Sequence, residues 1–143
     1  MDIRKMIIED YDAVIGLLTA TSGVRLRDAD SRAATARYLE RNPELSFVAI
    51  VDGAIAGCVM CGHDGRRGYL QHLAVSQLHR RFGIGSALVE ACLTKLESLG
   101  IFKTHIDVLV GNQQAHDFWR RRGWQKRDDV FRYSFLNSHD TNA

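Results

Sequence analysis

The chain has little that staples or interrupts a fold. It carries one proline, Pro43, and three cysteines, Cys58, Cys61 and Cys92, in 143 residues. An odd, sparse cysteine set excludes a disulfide framework and is what a reducing compartment leaves behind. No apolar run approaches the ~20 residues that span a bilayer. The opening "MDIRKMIIEDYD" is broken by charges and has no signal-peptide core. A cytoplasmic protein that spans no membrane is therefore expected. Charge is nearly balanced, at +2, which argues against a dedicated nucleic-acid binder but leaves room for a local anion site. Repeats, low-complexity tracts and linkers are all lacking, so a single domain over 1–143 is expected, with a frayed tail at 137–143. With 45% hydrophobic residues, a chain of this length buries about two-thirds of its unfolded surface.

What is present is a change of period along the chain. "IRKM" reads as a first strand. Tyr11, Val14, Ile15 and Leu18 follow at helical spacing, with Asp10 as N-cap. Asp30 is expected to cap a second helix that ends before Asn42-Pro43. Residues 46–75 hold three β-prone runs joined at Asp52-Gly53 and Asp64-Gly65, the dipeptides of a type I′ turn. Ile84, Leu88, Ala91, Cys92, Leu96 and Leu99 then make one helical stripe, stopped at Gly100. "KTHIDVLV" reads as a strand. Asn112 caps a further helix that stops at Gly123, and "WQKRDDVFRYSFL" reads as a final hairpin. The strand–helix–strand unit at 69–110 is a crossover, so its strands are expected to be parallel.

One turn calls for a ligand. Arg80 and Arg81 precede Gly83-Ile84-Gly85-Ser86 at the start of a helix. A helix start offers unpaired amides and about half a positive charge, which suits phosphate oxygens. Glycines let the backbone approach, and guanidinium groups add charge-assisted bonds. A P-loop would need glycine and lysine where Leu88 and Val89 stand. A dinucleotide fingerprint would need glycine or alanine at Leu88, although Asp107 sits about where the ribose-binding acid would.

The spacing Arg80-x-x-Gly83-x-Gly85 after "YLQHLAV" resembles the acyl-CoA loop of the GNAT superfamily of N-acetyltransferases. Downstream, Asn112, Ala115, Phe118 and Gly123-Trp124 look like that superfamily's second motif. The resemblance covers residues 1–136 and is most specific over 69–124. It implies a mixed α/β (α+β) fold, with a mostly antiparallel sheet of about seven strands and about four helices. It also implies splayed fourth and fifth strands that take pantetheine between them.

By that resemblance acetyl-CoA is the co-substrate. The backbone of Leu73, Ala74 and Val75 pairs with pantetheine, and the pyrophosphate sits on Arg81, Phe82, Gly83, Ile84, Gly85 and Ser86, with Arg80 nearby. Asn112, Ala115, Phe118 and Trp119 line the arm. The acceptor is a small-molecule or peptide amine that attacks the acetyl carbonyl directly. A homodimer is compatible with family habit.

Alternation places Tyr69, Gln71 and Leu73 on one face and Leu70, His72 and Ala74 on the other, unless a bulge intervenes; the resemblance implies that the Tyr69 and Gln71 face points to substrate. Gln71 and Tyr69 are thus the strand's candidates at the catalytic centre, Gln71 by orienting a water. The superfamily's usual acid is a tyrosine where this chain has Trp119, and indole cannot transfer a proton at neutral pH. Tyr133 is the substitute candidate. The loop "TSGVRLRDADS", with Arg25, Arg27 and Asp28, is expected to meet the amine. No metal is expected, because Cys58-x-x-Cys61 lacks a second pair and its members face opposite sides of a strand. Two other readings stand beside this one: a domain that binds acyl-CoA or a nucleotide without turnover, and a dinucleotide oxidoreductase.

Overall fold

The computed structural model describes residues 1–143. The chain divides into two compact units, Met1–Asp107 and Val108–Ala143. The first holds one five-stranded sheet in the order β1-β2-β3-β4-β5, with β1 at Asp2–Lys5, β2 at Phe47–Val51, β3 at Ala54–His63, β4 at Gly68–Val75 and β5 at Thr104–Ile106. Its helices are α1 (Tyr11–Thr19), α2 (Arg32–Arg41) and α3 (Ile84–Ser98). The first four strands pair antiparallel, and β4 pairs parallel to β5 across the α3 crossover.

Local chemistry sets most boundaries. Val51 pairs with Ala54, and Asp52 and Gly53 sit at φ 51° and 78°, the geometry of a type I′ turn. The second hairpin differs from expectation. Asp64 keeps negative φ, and its carboxylate accepts the Arg66 and Arg67 amides at 2.8 and 2.7 Å. The turn is a wider, side-chain-closed one spanning 64–67, because an Asx turn competes with the I′ geometry. The cap of α2 is Ser31, whose hydroxyl accepts from the Ala34 amide. Asp30, expected there, is drawn away by other partners described below. Helix α3 ends ahead of Gly100, whose φ is 81°.

The sheet is packed on both faces. On one, Cys58, Met60, Ala74 and Val48 form a core with Val14 and Leu18 of α1, and Tyr38 and Leu39 of α2 pack against it. On the other lies α3. Its close approach depends on Gly57, where a β-carbon would stand 3.0 Å from Ile84 and 3.1 Å from Leu88. Leu88, Cys92 and Leu96 are fully buried.

The second unit contains α4 (Gln113–Arg121). The Asn112 side chain accepts from the Ala115 amide at 3.2 Å, as the capping logic predicts, and Gly123 at φ 84° stops the helix. Trp119 is 7% exposed and meets Phe118 and Trp124 edge-on, at 5.0 and 4.6 Å between ring centres.

The sheet has five strands, not about seven. Residues 124–136 form no strand, and Val130, Phe131, Tyr133 and Phe135 are exposed. Alternation there fits a strand, but a strand exists only through a ladder partner, which periodicity cannot supply. "KTHIDVLV" likewise yields only the three residues of β5.

Candidate active site

Strand β4 outruns its parallel neighbour. Pairing to β5 covers Gly68, Tyr69 and Leu70, and the strand continues to Val75. Gln71–Val75 have no ladder partner on β5. The Ser76 amide donates to Ala56 of β3 at 2.8 Å. In an antiparallel ladder the peptide groups alternate between neighbours, so Ala74 shares that phase and Val75 presents its peptide groups to the opposite edge. There the Arg80 Nε–H donates to the Val75 carbonyl at 3.2 Å. The resemblance-based set of Leu73, Ala74 and Val75 is thereby divided, with the peptide groups of Ala74 turned to β3.

A short 3-10 turn, Gln77–His79, leads from β4 into the arginine–glycine loop. Arg81 and Gly83 both adopt left-handed φ, 70° and 77°. Gly83 is the N-cap of α3 and supplies no side-chain cap. The first turn of α3, Ile84 and Gly85, follows directly on this loop. Alternating handedness of this kind concentrates backbone N–H groups into an anion-binding concavity. Arg81, Phe82 and Gly83 are exposed, and Ile84 and Gly85 are buried.

The parity of β4 breaks in its middle. Met60 pairs with Gln71, and Cys58 pairs with Ala74. One residue on β3, Val59, thus faces two on β4, a bulge at His72-Leu73. Paired residues share a face, so Gln71 and Ala74 lie on the same one, that of α1 and α2. His72 takes left-handed φ, 54°, which histidine tolerates better than most residues. Its Nε2 meets the Asp30 Oδ1 at 2.6 Å, and both side chains are 14% exposed. Asp30 stands directly ahead of α2. Strict alternation, which sends His72 to the opposite face, is corrected by this bulge.

Tyr69 and Gln71 are exposed, and Tyr69 lies 5.7 Å from the His105 ring. Gln71 approaches the buried Tyr38 hydroxyl without meeting hydrogen-bond geometry. Burial pushes Tyr38 up to about 12, with Gln71 partly offsetting it. Tyr133 lies in the second unit and is 94% exposed. The cysteines are buried and unpaired. Burial drives Cys58 up to about 12, against the pull of the Ala74 backbone. Contact with the Cys61 thiol, together with burial, pushes Cys92 up. No group of three or more His, Cys, Asp or Glu side chains is placed to hold a metal ion, and no helix is long and apolar enough to cross a membrane.

Sequence reasoning took Asp30 for a helix cap and overlooked Tyr38. The signal for Asp30 was only its place in the loop expected to meet the amine.

Comparison with known proteins joins this geometry to a family. The acetyltransferase (GNAT) family model matches residues 9–124. The chain is 33% identical over 130 residues to an acetyltransferase of Pectobacterium atrosepticum, covering 91% of this chain and 92% of that one. It is 31% identical to an N-alpha-acetyltransferase of Schizosaccharomyces pombe over 72% of this chain and 71% of the other. The fold is similar to that of a paia N-acetyltransferase from Thermoplasma acidophilum, solved with coenzyme A. The TM-score is 0.79 at 18% identity, covering 90% of this chain and 92% of that one. The chain belongs to the GNAT family of acetyltransferases and is an N-acetyltransferase with acetyl-CoA as co-substrate.

Proposed function

We propose that the chain transfers the acetyl group of acetyl-CoA to a primary amine by direct attack on the thioester, in the first unit, along β4 and the turn into α3. The observation that carries this is the run of β4 past β5, straight into a left-handed arginine–glycine turn at a helix N-terminus. The open strand edge orders a flexible thioester arm through peptide hydrogen bonds, which lowers the entropic cost of binding it. The peptide donors from Phe82 to Ser86 and the exposed Arg81 take the diphosphate. Arg80 contributes by fixing the loop to Val75.

At the reacting carbon, the developing oxyanion needs a fixed donor, and an N–H of the bulge near Leu73 serves. Gln71 and Tyr69 border this point, and Gln71 orients a water. The parts given to Asn112, Ala115, Phe118, Trp119 and Tyr133 rest on the resemblance. Within their own unit, Asn112 is engaged in capping α4 and Trp119 in aromatic packing.

The acceptor is a small-molecule or peptide amine, met by the loop between α1 and α2. The family match extends from residue 9 in the first unit to residue 124 in the second, which supports reading 1–143 as one functional domain. Three unpaired cysteines fit a reducing, cytoplasmic setting.

A thiol-release assay with acetyl-CoA over alkylamines, aminosugars and peptides with free N-termini tests this reading. It expects release coupled to an acetylated amine. Tight acetyl-CoA binding with no release over the whole panel would instead favour a domain that binds without turnover.

A further inference from the structure

We propose that Tyr38 is a positioning residue for the acetyl-transfer centre: its buried hydroxyl takes a hydrogen bond from the Gln71 carboxamide and so turns the amide oxygen outward, toward the water that receives the amine proton. The inference deepens the acetyl-transfer reading above and rests on it.

The observation that calls for a role is an unmet hydroxyl. Tyr38 Oη is sealed from solvent and bonds to no group of the protein. Buried polar groups are nearly always bonded, and one that is not lowers stability. Phenylalanine would fill the same space without that cost. The hydroxyl therefore calls for a partner that the resting chain does not engage.

The backbone around the hydroxyl admits it closely. Tyr38 lies on α2 and packs against the core between helix and sheet. A β-carbon at Gly62 would stand 2.8 Å from Oη and 2.9 Å from Asn42 Cγ, so glycine on β3 is what leaves room for the ring tip. The end of α2 is tied down at the same level. Asn42 Nδ2 donates to the Tyr38 carbonyl at 3.3 Å, and Asn42 Oδ1 accepts the His63 amide at 3.1 Å. The hydroxyl is thus held against β3 by a fixed element.

That level is also the level of the candidate centre. Gly62 pairs with Tyr69, and Met60 pairs with Gln71. Paired residues share a face, and so do alternate residues of one strand. Tyr38 Oη, Tyr69 and Gln71 therefore lie on the same side of the sheet. Sealed as it is, Oη cannot touch an acceptor. Gln71 is exposed and approaches Oη. The other polar side chains nearby are engaged elsewhere: Asn42 as above, His72 with Asp30 at 2.6 Å, and Asp30 also with the Arg27 amide at 2.8 Å. Gln71 is the side chain that carries the influence of the hydroxyl to the surface.

Donor and acceptor chemistry gives that influence a direction. A hydroxyl oxygen accepts, and a carboxamide has one donating and one accepting end. With Nε2–H held on Oη, Oε1 points outward and accepts from a water, whose lone pairs then face the amine. A flipped carboxamide would present Nε2–H and occupy those lone pairs. The amine nitrogen passes one proton to that water as C–N forms, and the proton leaves with the thiolate as C–S breaks. Atoms and charge balance with no further reactant. Tyr38 itself moves no proton: burial pushes its hydroxyl up to about 12, and it stays protonated at neutral pH.

The test compares wild type, Tyr38→Phe, Gln71→Ala and the double variant on whichever panel amine is turned over, with urea unfolding of each. Tyr38→Phe is expected to be at least as stable as wild type, because it removes an unmet group. It should nonetheless lower kcat about five- to tenfold, the order that one neutral hydrogen bond is worth, with KM for acetyl-CoA unchanged. The double variant should be no slower than Gln71→Ala, because the hydroxyl acts only through the carboxamide. Wild-type kcat in Tyr38→Phe, or losses that multiply in the double variant, overturn the proposal alone. So does a Tyr38→Phe variant clearly less stable than wild type, since the hydroxyl would then be bonded in the resting fold. A wild-type chain that acetylates no amine overturns the acetyl-transfer reading, and this proposal with it.

Discussion

The Arg80 side chain closes on its own strand: Nε donates to the Val75 carbonyl at 3.2 Å. That bond ties the loop to the end of β4 through Nε alone.

Arg80→Ala should therefore act through geometry. We expect stability to fall by about 1.5–3 kcal/mol, the range for a hydrogen bond from a charged donor, and acetyl-CoA to bind more weakly with little change in salt dependence. Urea unfolding and calorimetry at two ionic strengths check this. A steep loss of salt dependence would return Arg80 to direct phosphate contact.

Gly83→Ala isolates the backbone. Nothing lies within 4 Å of the added carbon, yet φ is +77°. The penalty is therefore conformational, about 1–2 kcal/mol, and falls on the turn that presents the amides. Thermal unfolding should show it, together with weaker acetyl-CoA binding. An unchanged melting temperature would mean the turn relaxes freely.

Gly68→Ala tests a close contact in the core. Its β-carbon would stand 2.7 Å from Leu96 and 2.8 Å from the Thr104 hydroxyl. Overpacking of this kind costs about 1–3 kcal/mol, and it wedges β4 from β5. The urea midpoint should drop, and a variant as stable as wild type would contradict the packing described.

The pair Arg4–Asp10 sets an acid limit on stability. Arg4 bonds both carboxylate oxygens at 2.8 Å, and the Ile7 amide adds a third bond at 2.9 Å. The Arg4 hydrogen bonds hold Asp10 below the usual carboxylate range, against burial. A lowered folded value gives stability that is present above the unfolded value of about 3.9 and lost as pH falls through the folded one. Asp10→Asn should be less stable than wild type at neutral pH, with the gap closing below about pH 4. A gap that persists into stronger acid would refute this.

The buried thiols should be inert. With Cys58 at about 12 and Cys92 also raised, almost no thiolate forms at pH 8. A disulfide reagent should titrate no thiol in the native protein and all three in denaturant. Fast reaction of any one in the native state would contradict their burial.

How much of this was legible in the sequence follows from range. The Asp52-Gly53 turn, the Asn112 cap and the stops at Gly100 and Gly123 are set by neighbours within a few residues, and all are found. Ser31 and Asp30 are equal cap candidates by type. Contact with His72, 42 residues away, decides between them. The bulge at His72-Leu73 is invisible to a period of two, so it inverts the expected face. The short β5 and the strandless 124–136 depend on ladder partners that no local pattern specifies. The glycine–arginine turn was legible because helix-start chemistry is local, whereas the bond that takes Arg80 to Val75 was not.

The central claim is that peptide donors at the start of α3, with the exposed Arg81 beside them, hold the coenzyme's diphosphate. Calorimetric titration of acetyl-CoA into wild type and a folded Arg81→Glu variant tests it most directly. The account expects affinity to fall by at least about tenfold, the order set by losing one charge-assisted contact, and the dependence on salt to shrink. Equal affinity at equal salt in a variant with wild-type circular dichroism would contradict it.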